Sequence, residues 1–218
     1  MLRLTEDDYG TDSPYVERLK ESDIVMLLRR GKLDLEWVTG HLYVDDPNKL
    51  ITDSNDTATH MAPQMLAAMG SPKSKAIIIS PYSIPRDSGV ALIKQWHDKG
   101  VDVTILTNSL SATDVAVVHA GYANYREQLL ELGVNLWELK RDFEHTDEKI
   151  KIKSFGGSST ASLHAKTMAF DDEQIFIGSL NLDPRSFNLN TEQGVVLQSP
   201  RFAQMLQQWV DNNMPDFA

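Results

Sequence analysis

His164 and Lys166 stand two residues apart in a β-prone run that begins at Leu163, and a period of two puts both side chains on one face of a strand. A histidine beside a lysine is electrostatically awkward unless an anion lies between them, because each cation disfavours the other's charge. The spacing suits a phosphate site, although two unrelated polar residues on an exposed strand face would have it too. Asn181 follows in the polar loop Gly178-Ser179-Leu180-Asn181-Leu182-Asp183, where an amide can donate to a phosphate oxygen. Glu192 precedes another β-rich run and can hold one imidazole nitrogen, leaving the other free to attack. The set contains a nucleophile, a carboxylate to orient it, and a lysine and an amide to clamp phosphate.

These residues need a hairpin to bring them together. Residues 163–170 and 174–177 are β-rich and separated only by Asp171-Asp172-Glu173, which predicts a tight antiparallel hairpin that returns Asn181 to the strand of Lys166. Upstream, strands are expected over 76–79, 101–106 and 134–139, alternating with helices over 59–69, 88–99 and 122–132. That alternation predicts an α/β fold: a mixed, largely parallel sheet flanked by helices on both faces. A helix over about 14–30, strands at 33–37 and 42–44, a strand at 195–197 and a helix from Ser199-Pro200 through Trp209 complete the reading. Met61, Met65 and Met69 share a helical face and read as core, as do Trp96, Trp137 and Trp209. Residues 141–151 read as a charged loop bordering the substrate entrance.

Composition narrows the function. The chain has 218 residues, 41% hydrophobic and 24% charged, enough to bury a sizeable core. No run is long and apolar enough to span a bilayer, and the acidic start does not read as a secretory signal. With no cysteine, disulfides and thiolate metal sites are excluded. A net charge of -10 argues against nucleic acid as a partner, since non-specific binding of a polyanion rests on lysine and arginine.

Taken together, His164-Ala165-Lys166 with Asp171, then Gly178-Ser179-Leu180-Asn181-Leu182-Asp183-Pro184-Arg185-Ser186 and Asn190-Thr191-Glu192-Gln193-Gly194, resemble the signature of the phospholipase D superfamily. Gly156-Gly157-Ser158-Ser159 resembles its Gly/Ser-rich lead-in. Ser80-Pro81-Tyr82-Ser83-Ile84-Pro85 resembles the turn that opens the second lobe's core in bacterial cardiolipin-synthase-like members. The resemblance covers about residues 75–200, more weakly 14–50. Residues 37–48 look like the segment between the lobes of those longer proteins, so residues 1–50 are expected to form an N-terminal helix and lead-in and 51–218 a catalytic lobe.

The resemblance implies a two-step displacement. One histidine attacks phosphorus to give a phosphohistidine, a second protonates the leaving alcohol, and the roles reverse for the acceptor. It makes His164 a catalytic histidine, Lys166, Asn181 and Ser179 phosphate-binding, Glu192 the residue that orients His164, and Asp171 and Asp183 structural. His119, expected in the loop over 110–120, becomes a headgroup or water contact, with a solvated loop histidine as the alternative. Cofactors and metals are not required, because lysine and asparagine supply the charge compensation.

A complete site needs two such motifs, and this chain has one. His97 has Lys99 two residues on, but it falls in an expected helix, and Thr104 stands where the motif wants aspartate. The expectation is therefore half of a phosphatidyltransferase or phospholipase, acting on phospholipid at the cytoplasmic side of a membrane and completed by a second lobe or a homodimer partner. The alternatives are a homodimeric metal-independent nuclease and a lobe that is catalytically incomplete alone.

Overall fold

The computed structural model describes residues 22–53, 56–140 and 162–217. The expected charged loop over 141–151, the Gly/Ser-rich stretch over 154–159 and the start of the N-terminal helix lie outside the described residues. The chain divides into two compact units after Trp37. In the first, α1 (Asp23–Arg29) carries Asp23 in its first turn and Arg29 in its last, each placed to complement the helix dipole. No strand forms over 33–37, where alternating Leu33, Leu35 and Trp37 pair with no strand among the described residues.

Among its described residues the second unit has seven strands: β1 (Thr39–Val44), β2 (Lys75–Ile79), β3 (Asp102–Asn108), β4 (Asn135–Leu139), β5 (Thr167–Phe170), β6 (Gln174–Gly178) and β7 (Gln193–Gln198). Their order in one mixed sheet is β1-β7-β6-β5-β2-β3-β4. The parallel character expected of the sheet holds on the β2, β3 and β4 side, where crossovers run through α3 (Arg86–His97) and α4 (Ala116–Glu131). The other four pairings are antiparallel, because β5 enters antiparallel to β2 and a short hairpin cannot return a parallel strand.

Helices cover both faces. On one, α2 (Met61–Met69), α3 and α4 bring Met61, Met65, Val90, Ile93, Trp96 and Leu129 against Ile78, Ile105, Phe170 and Phe176. Trp96 meets Phe170 edge to face with ring centroids 5.5 Å apart, a favoured aromatic geometry. On the other, α6 (Pro200–Phe217) lays Ala203, Val210 and Met214 on Ile77, Leu106, Ala169 and Ile175. The remaining helix, α5 (Pro184–Asn188), is one turn between β6 and β7.

The hairpin turn between β5 and β6 sets the register of the motif. Asp171 and Asp172 adopt left-handed backbone with φ of 57° and 56°, a conformation aspartate tolerates better than most side chains. The Asp171 carboxylate accepts from the backbone N–H of Lys73 (2.8 Å), Ser74 (2.7 Å) and Lys75 (3.0 Å) and from the Ser74 hydroxyl (3.0 Å). It latches the turn to the start of β2. Burial raises its pKa, but the Ser74, Lys73 and Lys75 N–H groups and the Ser74 hydroxyl together outweigh burial and hold it below the usual carboxylate value.

A depressed folded pKa gives stability that is present above the unfolded pKa and lost as pH falls through the folded one. Asp171→Ala is expected to cost about 1–3 kcal/mol in urea unfolding at pH 7, and the difference from wild type should shrink as the pH is lowered through the acid range.

Candidate active site

The site lies where β2 and β3 end. The last β2–β5 register pair is Ile79 with Thr167. Beyond it Ser80 N–H turns to Leu106 O at 3.0 Å, and Pro81 has no N–H to continue the ladder. His164 and Lys166 therefore lie on the extended chain leading into β5, one step outside the strand expected to carry them, and the Gly178 N–H to Lys166 O bond (3.1 Å) continues the pairing on the other side. His164 is exposed, and among the described residues its imidazole has no hydrogen-bond partner. Lys166 is half-buried and donates to His164 O at 2.7 Å. On the other side of His164, buried Asn108 accepts from Leu163 N–H at 2.9 Å and donates to Leu163 O at 3.1 Å.

The loop carrying Asn181 is tied to the turn after β2. Ser80 Oγ donates to Tyr82 O (2.6 Å) and accepts from Leu182 N–H (3.0 Å), while Ile84 N–H donates to Leu182 O (2.6 Å). Asn181 is 8% exposed; its amide nitrogen donates to Ser186 Oγ at 3.3 Å, and its amide oxygen is buried with no partner among the described residues. Because a serine hydroxyl can donate or accept, either orientation of that amide leaves one end unpaired. Asp183 caps α5 by accepting from Arg185 and Ser186 N–H at 2.8 and 3.1 Å. The Arg185 guanidinium reaches Asn190 Oδ1 at 3.1 Å, so it does not form the local pair with Asp183 that their spacing suggests.

Glu192 is 6% exposed. Its carboxylate accepts from Ser179 Oγ (2.5 Å) and Asn190 Nδ2 (3.1 Å), and no hydrogen bond joins it to His164. Ser179 Oγ is further occupied by Gln193 N–H at 3.0 Å. Gly178 and Gly194 face each other across β6 and β7. A Cβ on either would run into the buried Phe176 ring and the facing backbone, so only glycine fits at these two motif positions.

Beneath Glu192 lies a fully buried ion pair. Asp45 Oδ2 accepts from Lys49 Nζ (2.6 Å) and Glu192 N–H (2.8 Å), Oδ1 accepts from Met61 N–H (2.6 Å), and Lys49 Nζ also reaches Ser186 O (3.1 Å). One pair thus joins the exit of β1, the start of α2, α5 and the entry to β7.

Burial lowers the pKa of Lys166, against the opposing pull of the Glu192 and Asp114 carboxylates. Asp114 also accepts from Tyr82 OH at 2.8 Å, and burial together with that carboxylate pushes the Tyr82 phenol up to about 12, keeping it a donor at neutral pH. Among the described residues the site presents the Lys166 ammonium, acted on by the Glu192 and Asp114 carboxylates, with free donor or acceptor capacity at Asn181.

Residues 65–214 match the family model described as cardiolipin synthase, PLD-like domain. This chain belongs to that family. Cardiolipin synthase C of Escherichia coli is 44% identical over 193 residues, covering 88% of this chain and 40% of the relative. A cardiolipin synthase of Alkalihalophilus pseudofirmus is 30% identical over 150 residues, covering 68% and 26%. The chain thus spans less than half the length of these curated relatives. Among solved structures, NucT of Helicobacter pylori has a TM-score of 0.56 at 16% identity, over 84% of this chain and 99% of that one. Phosphatidylserine synthase of Haemophilus influenzae, also at 0.56 and 16%, is matched over 96% of this chain and 47% of its own.

Within this PLD-like domain Ser179 is bonded to Glu192, the Glu192 charge acts on Lys166, and Lys166 holds His164 O, while Asn181 lies two residues past Ser179 and is bonded to Ser186. His119 sits differently from expectation. It is in α4, whose apolar stripe of Tyr122 and Leu129 extends one turn earlier than expected, and it is 8% exposed with its ring centroid 5.4 Å from Tyr122. It lines an open cleft of about 650 Å³ with Ser109, Ser111, Arg126 and Glu138. Asn108, Asp45 and Lys49 went unassigned by sequence reasoning. Asp45 and Lys49 have the spacing of an ordinary exposed pair, and nothing in the sequence signals their burial.

Proposed function

We propose that this domain is half of a phosphatidyltransferase that works through a phosphohistidine on His164. An imidazole nitrogen of His164 attacks phosphorus while Lys166 and Asn181 hold the non-bridging oxygens. The bond to the leaving alcohol breaks, and a histidine from a second lobe or second copy of the fold supplies the proton. An acceptor alcohol or water then attacks the phosphohistidine with the same second histidine acting as base. The observation that carries this reading is the unpaired, buried amide end of Asn181 beside the motif, in a domain whose relatives are named cardiolipin synthases. Glu192, bound to Ser179, acts by holding the loop between β6 and β7 in shape and by its charge on Lys166.

The substrate is a glycerophospholipid and the acceptor an alcohol. Among the described residues no helix is long and apolar enough to cross a membrane; in the proposed reading the domain meets the bilayer at its surface, on the cytoplasmic side. Lipid mass spectrometry of cells expressing the full-length protein tests the reading: cardiolipin or phosphatidic acid should rise and should not rise with His164→Ala. Unchanged lipids would overturn it. Metal-free cleavage of DNA by a dimer of this chain would instead favour a nuclease.

Lys166→Ala tests the clamp in the isolated domain. Loss of the ammonium should weaken inorganic phosphate binding by about tenfold to a hundredfold in calorimetric titration. Undiminished affinity would mean that Lys166 does not hold phosphate.

A further inference from the structure

We infer that Asn108 is a positioning residue for His164, acting independently of the phosphate clamp; this rests on the reading of His164 as nucleophile. The His164 imidazole has no hydrogen-bond partner among the described residues, so the backbone on either side must set where it points. On the C-terminal side, Lys166 O is tied to Gly178 N–H and His164 O to Lys166 Nζ. On the N-terminal side, the described anchor is the Asn108 side chain, which takes both the N–H and the C=O of Leu163 at 2.9 and 3.1 Å.

That two-point grip copies the bonds of a strand neighbour. It comes from the last residue of β3, which pairs with Leu139 in the sheet and is 2% exposed, so it hangs the start of the motif on a rigid part of the fold. Asn108 also lies near Pro81 O, at 3.5 Å, which keeps the turn carrying Tyr82 in the same frame. The Asn108 bonds to Leu163 and Pro81 involve neither Asn181 nor the Lys166 ammonium. Removing the amide should let His164 swing from its line of attack while phosphate still binds, and small misplacement of a reacting group can lower a rate by about a hundredfold.

Phosphoramidate allows a test on this domain alone, since in its zwitterion the nitrogen already carries three protons and leaves as ammonia without help from a second histidine. A neutral imidazole nitrogen of His164 forms the new N–P bond as the P–N bond of phosphoramidate breaks. Ammonia departs, and the imidazolium of the product gives its other N–H proton to solvent. The rate and its half-saturating concentration are followed by mass spectrometry of the His164 peptide, with thermal unfolding recorded for each variant.

Asn108→Ala should lower the saturating rate by about a hundredfold with the half-saturating concentration unchanged. Asn108→Asp, which can still accept from Leu163 N–H, should fall in between. Lys166→Ala, which also frees His164 O, should raise the half-saturating concentration whether or not the rate falls with it. Asn108 variants that melt earlier yet react at the wild-type rate would overturn the positioning role and leave His164 as nucleophile. Wild-type protein labelled no faster at His164 than its urea-unfolded form would overturn the reading of His164 and this inference with it.

Discussion

Replacing His164 with alanine in the full-length protein is expected to lower metal-independent phosphodiester turnover by about ten-thousandfold. The loss should fall on kcat. Lys166 and Asn181, which would hold the phosphate, remain as they were, so KM should move little. His164 is exposed and its side chain has no hydrogen-bond partner among the described residues, so stability should stay within about 0.5 kcal/mol of wild type, and inactivity cannot be laid to unfolding. His119 offers no substitute, being packed in α4 beside Tyr122. A variant that keeps a tenth of its turnover would mean that another group attacks phosphorus.

Lys49→Met is expected to destabilise the domain by about 3–5 kcal/mol, read by urea unfolding at neutral pH. Both side chains of the Lys49–Asp45 pair are wholly buried, so removing the ammonium strands a carboxylate away from water, and that penalty exceeds what the pair gains from its own attraction. Adding Asp45→Asn should return much of the loss, because a neutral amide oxygen can still accept from Met61 or Glu192 N–H. The same sites should loosen together: Asp45 holds the backbone of Glu192, and Lys49 holds Ser186, the partner of Asn181. Lys49→Met within 1 kcal/mol of wild type would place the pair in contact with solvent.

The motif hairpin could be read from the sequence because its signals are local. Two β-rich runs flank Asp171-Asp172, and aspartate is at ease in the left-handed turn that forms there. The three helices that carry the larger core follow from their apolar spacing, and Met61, Met65 and Met69 do lie buried on one face of α2. What sequence could not show depends on partners far along the chain. The strand β5 begins at Thr167 because Pro81 ends its neighbour, and Asn108 finds Leu163 only once the sheet is assembled. The same holds for Asp45 and Lys49, whose burial is created by α2, α5 and β7 together. Alternation at Leu33, Leu35 and Trp37 misled because a strand needs a neighbour as well as a pattern. The start of α4 was missed because Val115 to Val118 are poor helix formers overall, yet His119 and Tyr122 bury one face of it.

In the proposed reaction phosphorus is bonded to His164 during turnover. The direct measurement is to quench the full-length protein with base during turnover of a short-chain phospholipid and to look for a phosphatidyl adduct by peptide mass spectrometry. An acid-labile adduct is expected on the peptide containing His164 and absent from His164→Ala. An adduct on another residue, or turnover that persists in His164→Ala with no adduct at all, would contradict it.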